Sequence, residues 1–498
     1  MNTVLQSVVL LATFFGFTLL TSAISTATGR RYSKWSNPYR WYAPLWIVQC
    51  VILLLPLYDF GYPTSWATVG YIVLCHFALA AGISIVMFLG RGGSDADVTS
   101  SPPRGFMFMT LTGLGAQLLF SLDTLLASGV QMADRFDASG MADARDENFA
   151  LSTSFLGPVL GVVIALASLS IVSMLIYAYA SGAQLWWARR KGLTRIAVYA
   201  SIALVIVDTL FVRIGRFPVL IIFVMFMVAR SLGREAAGIR TSQTVSRMMM
   251  KPVRLSIIGA IVGMGLIGGT WVQQMRANGL EPNQQLQAAF EVTLKPEIKY
   301  GFASSDFTTF LCLQVLYFAH SFNVLSVYVD TPSQQLPKPM MGTYNFSQPY
   351  KIVGRALPGY DPEFWSKGRA DLFDVVESRG RLGNTWGTQL RDFAADFTYP
   401  GAVVFMFLLG ALSQWVTDKF YRDKTYLDAI FLSLIRVFFL FSAFHSLLYS
   451  SVLGWPFCIC GGIWIGRTLL FRRKASQSAQ PPAFSAEADR NNFLSSRR

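Results

Sequence analysis

The chain has 498 residues, of which 53% are hydrophobic and only 14% charged, and its formal net charge is +14. Soluble domains carry roughly 25% charged residues, so this composition excludes an ordinary soluble multidomain protein. The excess of positive charge falls between apolar runs and forms no basic stripe interleaved with exposed aromatics, so nucleic acid is not an expected partner.

The first apolar run, from about Thr3 to Ile24, lacks a basic segment before it and is followed by Arg30, Arg31, Lys34 and Arg40. It therefore reads as a span with the amino terminus outside, not as a cleaved leader. Further runs follow at about 41–60, 65–89, 105–130, 153–182, 195–212, 216–232, 254–275, 397–417, 425–449 and 453–471. Runs of this length match the ~30 Å hydrocarbon core of a bilayer. The expected fold is an all-α polytopic membrane protein with eleven spans and a cytoplasmic carboxyl terminus. The loops alternate in charge as that topology requires. With the longest interval set aside, 26 lysines and arginines fall inside and 4 outside.

The chain divides at its longest polar interval. Spans one to eight fill residues 1–275, the interval covers 276–396, three further spans fill 397–471, and 472–498 is a polar tail expected to be flexible. The interval carries Trp365, Trp386, Phe302, Phe307 and Phe310, too many large apolar side chains for a disordered spacer. It contains two unusual phrases, Gly342-Thr-Tyr-Asn-Phe346 and Gly383-Asn-Thr-Trp-Gly387, and leads into Asp396-Phe-Thr-Tyr-Pro-Gly401. The stretch Thr308–Phe318 reads as a helix at the outer interface. No internal repeat of the kind found in alternating-access transporters is visible.

Ionisable residues inside apolar spans are costly and mark candidate sites. His76, Asp123, Asp208 and Arg436 are of this kind, and the structural reading pairs Arg436 with Asp123 or Asp208. The outer turn Arg213-Ile-Gly-Arg216 opens a span. There the fixed fork of a guanidinium and the free N–H groups of a helix start suit phosphate oxygens. Within the interval, Arg355, Arg379, Arg381 and Arg391 supply more cations, and Asp306, His320, Asp392 and Asp396 are candidate proton acceptors. The five cysteines form no disulfide framework: four lie inside apolar runs and Cys312 stands alone in the interval. Cys458 and Cys460 have no histidine or second thiol pair near them and read as packing residues, so no metal is expected. Gly263-Met-Gly265-Leu-Ile-Gly268 has the spacing of a dinucleotide fingerprint but lies within a span with no strand before it. Gly259 and Gly263 there fit close helix packing instead.

The large late loop, Gly215-Arg216, Gly342-Thr-Tyr-Asn-Phe346, Asn384-Thr385 and Asp396-Phe397 with Gly401 together resemble the Wzy-type O-antigen and oligosaccharide repeat-unit polymerases. The resemblance covers the second half of the chain. It departs from the family pattern in the residues Thr398-Tyr-Pro between Asp396-Phe397 and Gly401. It implies a GT-C-like glycosyltransferase of the bacterial inner membrane with a large periplasmic loop and no cofactor. The implied substrate is an undecaprenyl-diphosphate-linked oligosaccharide, with membrane lipid, a chain-length regulator and a flippase as partners. The diphosphate would be held by Arg213, Arg216, Arg355, Arg379, Arg381 and Arg436. Proton transfer would fall to Asp396, His320 or Asp306. Two other activities fit the same sequence: an O-antigen ligase of similar architecture, and a polysaccharide-related flippase or transporter.

Overall fold

The computed structural model describes residues 2–29, 32–33, 36–55, 57–60, 64–90, 98, 101–127, 156, 159–189, 192–208, 217–239, 292–301, 305–347, 349–350, 364–377, 387–450 and 452–478. The described chain is helical apart from one pair of three-residue strands. Apart from the short helices Trp186–Arg189 and Pro296–Tyr300, the helices in chain order are α1 (Asn2–Ala27), α2 (Tyr39–Leu54), α3 (Trp66–Leu89), α4 (Phe106–Ala127), α5 (Leu160–Gly182), α6 (Leu193–Val207) and α7 (Phe217–Ala236). Then come α8 (Asp306–Ala319), α9 (Ser321–Val329), α10 (Phe364–Glu377), α11 (Gln389–Asp423), α12 (Tyr426–Leu440) and α13 (Gly454–Ser478). Strands β1 (Tyr58–Phe60) and β2 (Val292–Leu294) pair antiparallel, with Asp59 opposite Thr293.

Among the described residues, six helices are long and apolar enough to cross a membrane: Thr3–Ala27, Trp66–Leu89, Phe106–Leu126, Leu160–Gly182, Gln389–Asp423 and Tyr426–Ala443. The described residues of the apolar runs at 41–60 and 195–212 form shorter helices, Tyr39–Leu54 and Leu193–Val207. The second run stops at Leu54, and its last residues enter β1. The run at 254–275, with Gly259, Gly263 and the rest of the fingerprint-like phrase, lies outside the described residues.

Glycines set the closest helix contacts. A Cβ on Gly82 of α3 would stand 2.0 Å from the Phe407 carbonyl oxygen, and one on Gly410 of α11 would stand 2.2 Å from that of Leu79. The same reciprocal arrangement joins α5 and α7, where Gly182 meets the Arg230 carbonyl and Gly233 meets that of Tyr179. Only a residue without a side chain lets two backbones approach this closely.

Helix α11 does not run straight. Thr398 has φ 66 and ψ 171, and Pro400 follows within one turn. A straight helix would separate Gln389 from Met406 by about 25 Å, yet the Gln389 Nε2 lies 3.9 Å from the Met406 sulfur. Phe393 and Phe405 have ring centroids 4.5 Å apart, and Tyr71 of α3 touches both Leu390 and Tyr399. The helix therefore folds back sharply into two legs lying side by side, 389–397 and 399–423. The first leg belongs to the bundle: Leu390 and Phe393 are fully buried in the main apolar core, together with Phe322 and Leu325 of α9. The last part of the long interval is thus not a separate layer. Its other described parts form two small cores, one of α8 on the β1–β2 pair and one joining α9, α10, Met340 and Tyr344.

Candidate functional site

The Gly342–Phe346 phrase and the Asp396–Gly401 stretch are locked together, whereas residues 383–386 of the second phrase, with Asn384 and Thr385, lie outside the described residues. Met341 and Gly342 have φ 51 and 89. Gly342 is present for this left-handed backbone and not for space, since a Cβ there would meet nothing closer than 3.7 Å. Two successive left-handed residues curl the chain so that Tyr344 and Asn345 aim their backbone N–H groups at one carboxylate. Tyr344 N donates to Asp396 Oδ1 at 2.9 Å, Asn345 N to Oδ2 at 2.9 Å, and Asn345 Nδ2 to Oδ2 at 2.6 Å. The same Nδ2 donates to the Asp392 carbonyl at 3.0 Å.

The fold-back explains why the turn docks there. Pro400 has no N–H to give to the Asp396 carbonyl four residues earlier, and Thr398 breaks the ladder beside it. Met341 N and Met340 N donate instead to the carbonyls of Asp396 and Ala395, each at 2.9 Å. Orphaned carbonyls within an apolar bundle need such partners.

One turn earlier lies a buried ion pair. Arg391 bonds Asp392 Oδ1 through Nη2 at 2.7 Å and Nε at 3.0 Å. It also reaches the Tyr344 hydroxyl at 3.3 Å and lies over the Tyr328 ring. The guanidinium rests on Gly387, where a Cβ would stand 2.4 Å from Nε. The other Asp392 oxygen accepts the Ser446 N–H at 2.7 Å. That bond reaches a second break: α12 stops at Leu440, and the chain passes through short 3₁₀ turns at 441–443 and 447–449 before α13. Gln49 Nε2 and the Ser321 hydroxyl both donate to the Ala443 carbonyl in this break, and Trp46 Nε1 donates to the Ser442 hydroxyl. Two breaks in the helical ladder thus meet at one place. Arg391, Asp392, Asp396 and Asn345, each at most 4% exposed, tie them together.

The sequence-derived candidates distribute unevenly around this unit. Asp396 is at its centre, but as a clamp with both oxygens engaged by N–H donors. His320 is buried at the junction of α8 and α9, its Nδ1 3.3 Å from the Leu316 carbonyl, next to the Ser321 that bonds Ala443. Asp306 is the first residue of α8, so its backbone is about 20 Å from His320 along a fourteen-residue helix. The structure therefore does not bring those two together. Arg213, Arg216, Arg355, Arg379 and Arg381 lie outside the described residues.

Arg436 is placed differently from the pairing expected of it. Its guanidinium carbon lies 5.0 Å over the Trp41 ring, and Nη2 approaches the Tyr421 hydroxyl at 3.5 Å. That hydroxyl donates to Glu235, as does the Ser33 hydroxyl at 3.1 Å. The two span carboxylates have other partners: Asp208 accepts from the Ser121 hydroxyl at 2.6 Å and Asp123 from Leu156 N at 2.9 Å. His76 is fully buried in a box of Phe14, Tyr39, Tyr42 and Trp46, with its Nδ1 2.8 Å from the Tyr39 hydroxyl.

Sequence reasoning missed His445 and Gln49. His445 adjoins Ser446 in the second break and is 5% exposed, its Nδ1 3.2 Å from the Ser446 carbonyl. It carries the same signal as His76, an ionisable residue inside an apolar run. Gln49 carries a related one, since a neutral amide inside a span also needs partners. Outside the spans, burial raises the Tyr328 hydroxyl well above its ordinary pKa. It therefore stays protonated and donates to the Leu372 carbonyl. Chemically, the unit offers a rigid, water-poor frame of fixed hydrogen-bond donors and acceptors at two broken helices, an arrangement that in membrane proteins lines binding sites. Compared with known proteins, the chain matches no family model, no curated protein and no solved structure.

Proposed function

We propose that this chain is an integral-membrane glycosyltransferase that polymerises lipid-diphosphate-linked oligosaccharide repeat units, with eleven spans in a GT-C-like arrangement and its site at the periplasmic face. The observation that carries the reading is the interlock of Gly342–Phe346 with Asp396–Gly401. Two of the phrases on which the polymerase resemblance rests meet in three dimensions, around buried charge, where two helices are broken. Buried charges are expensive in a bilayer and are retained where they do work.

In the reaction, a hydroxyl of one lipid-linked unit attacks the anomeric carbon at the reducing end of the growing chain. The new C–O bond forms as the bond to the lipid diphosphate breaks, and the diphosphate leaves with the bonding electrons. Arg213 and Arg216 are assigned to the diphosphate from the sequence, a role in which one fixed donor is typically worth ~3–4 kcal/mol. With both carboxylate oxygens occupied by three N–H donors, Asp396 is assigned as a positioning residue. The proton of the attacking hydroxyl passes to a histidine, His320 or His445, both beside the second break.

The test is the surface glycan ladder of a deletion strain, complemented by wild type, Arg216→Ala and Arg216→Lys at equal membrane abundance. A single repeat in the deletion strain and in both variants is the expected result, because lysine keeps the charge but loses the bidentate fork. A full-length ladder in the deletion strain would refute the proposal. Bare acceptor without any repeat would indicate the ligase, and repeat units trapped on the cytoplasmic side the flippase.

A further inference from the structure

Two histidines stand beside the second break, and the hydrogen bonds around them separate their roles. His320 turns its Nδ1 to the Leu316 carbonyl, and its Nε2 is sealed from solvent, so no incoming hydroxyl reaches it. His445 lies in the break itself, with its Nδ1 3.2 Å from the Ser446 carbonyl. A carbonyl oxygen only accepts, so Nδ1 carries the hydrogen and the lone pair of the neutral ring is on Nε2. The bond made at one ring nitrogen thereby sets which nitrogen is the base.

Ser446 has little freedom of its own. Its N–H donates to Asp392 Oδ2 at 2.7 Å, its hydroxyl accepts from Leu448 N at 3.4 Å, and its carbonyl takes the His445 ring. The residue is fully buried, with extended backbone at φ −71 and ψ 121. Asp392 is fixed in turn, because its Oδ1 takes two bonds from Arg391, at 2.7 and 3.0 Å. The guanidinium lies so close against Gly387 that a Cβ there would stand 2.4 Å from Nε and 2.6 Å from Cζ. Each link from Gly387 through Arg391, Asp392 and Ser446 to His445 is therefore a direct contact. Both Asp392 oxygens are engaged by N–H donors, which suits holding a neighbour in place and not proton transfer.

We propose that Asp392, held by Arg391 against Gly387, is the positioning residue for His445, acting through the Ser446 peptide to keep the ring in its Nδ1–H form with Nε2 as the base. This rests on the glycosyl transfer proposed above and decides between its two histidines. In that step the O–H bond of the attacking sugar breaks as the new C–O bond forms. The proton ends on Nε2, and the Nδ1–H stays on the Ser446 carbonyl.

The chain has three histidines, so their ring nitrogens can be read one by one. The full chain, isotopically labelled at the histidine nitrogens, is placed in phospholipid nanodiscs at about pH 8, above the ordinary imidazole pKa of ~6.5. Nuclear magnetic resonance then reports which ring nitrogen is protonated, with His445→Gln assigning the signals by their loss. Wild type is expected to show a protonated Nδ1 and an unprotonated Nε2 at His445. Asp392→Asn turns an amide nitrogen toward the Ser446 N–H and loses that bond. The expected result is a fall in the ratio of Nδ1–H to Nε2–H form of roughly tenfold, the equivalent of one hydrogen bond. Gly387→Ala displaces the guanidinium without removing charge, should act in the same direction, and serves if Asp392→Asn does not fold. His76, in its aromatic box, reports that the fold is intact. An Nε2–H form or a doubly protonated ring in wild type overturns the proposal, as does an unmoved His445 ratio in the folded variants. Access is read with diethyl pyrocarbonate, which acylates neutral imidazole. Mass spectrometry of the folded chain should find the adduct on His445 and not on His320, and protection of His445 overturns its role as the base. None of these readings needs the sugar substrate. A full glycan ladder in the deletion strain therefore rejects the polymerase and leaves the Asp392 link standing, whereas a single repeat with an unmoved ratio rejects the link alone.

Discussion

Asp396 and Asn345 allow the clearest quantitative test of the site's construction. The Asp396 carboxylate receives three N–H bonds, two from backbone and one from Asn345 Nδ2, all fully buried. Asp396→Asn leaves one oxygen. The cheapest arrangement keeps that oxygen at the Oδ2 position, with its two bonds, and sets the amide nitrogen against Tyr344 N–H. One charge-assisted bond is then lost, at about 1.5–3 kcal/mol. Asp396→Ala strands all three donors, at about 1–3 kcal/mol each, which approaches the whole stability of a typical domain. Asn345→Ala removes one bond to the carboxylate and one to the Asp392 carbonyl, at about 2–4 kcal/mol together. Because Asn345 and Asp396 share a bond, the double substitution should cost less than the sum of the single ones. Thermal unfolding of the purified chain and its membrane abundance measure the series. The expected order of loss is Asp396→Ala, then Asp396→Asn, with non-additivity toward Asn345→Ala. If Asp396→Asn unfolds with wild-type stability while polymer is lost, the clamp assignment is wrong and Asp396 belongs with the proton acceptors.

Gly82→Ala and Gly410→Ala should each prevent α3 and α11 from closing, since the added carbon meets a backbone carbonyl at 2.0 and 2.2 Å. Yield of monodisperse protein reads this out, with Gly462→Ala as a neutral control because nothing lies within 4 Å of its Cβ position. Thr398→Gly should raise the unfolding temperature, because φ 66 with ψ 171 costs a β-branched residue about 1–3 kcal/mol, against about 0.5–1 kcal/mol of added chain entropy. A fall in stability would refute the strained fold-back. Cys312 is buried and its thiol pKa is raised by burial. Maleimide at neutral pH should therefore label it only after unfolding, and rapid labelling of the native chain would contradict the packing of α8 on the β1–β2 pair.

Long apolar runs with few charges determine membrane-spanning helices directly, because a bilayer leaves the backbone no alternative hydrogen-bond partner. That is why α1, α3, α4 and α5 lie where the runs lie. The weight given to Gly342–Phe346 and Asp396–Gly401 was also legible, since Gly, Asn and Pro in those patterns impose local backbone geometry. Three things were not. The sequence starts the ninth span at Phe397, with Asp396 just before it as a candidate proton acceptor. Whether Thr398-Tyr-Pro400 bends a helix or folds it back depends on what packs between the legs, here Phe393, Phe397 and Phe405. The partner of Arg436 was equally hidden, because one guanidinium reaches several neighbouring helices and only their packing selects Trp41 and Tyr421. The role of Asp396 turned on contacts made across fifty residues of sequence. A carboxylate that opens a helix and one that clamps a distant turn look alike in a one-dimensional chain. Only the docking of the 340–346 turn onto the broken α11 makes it the second.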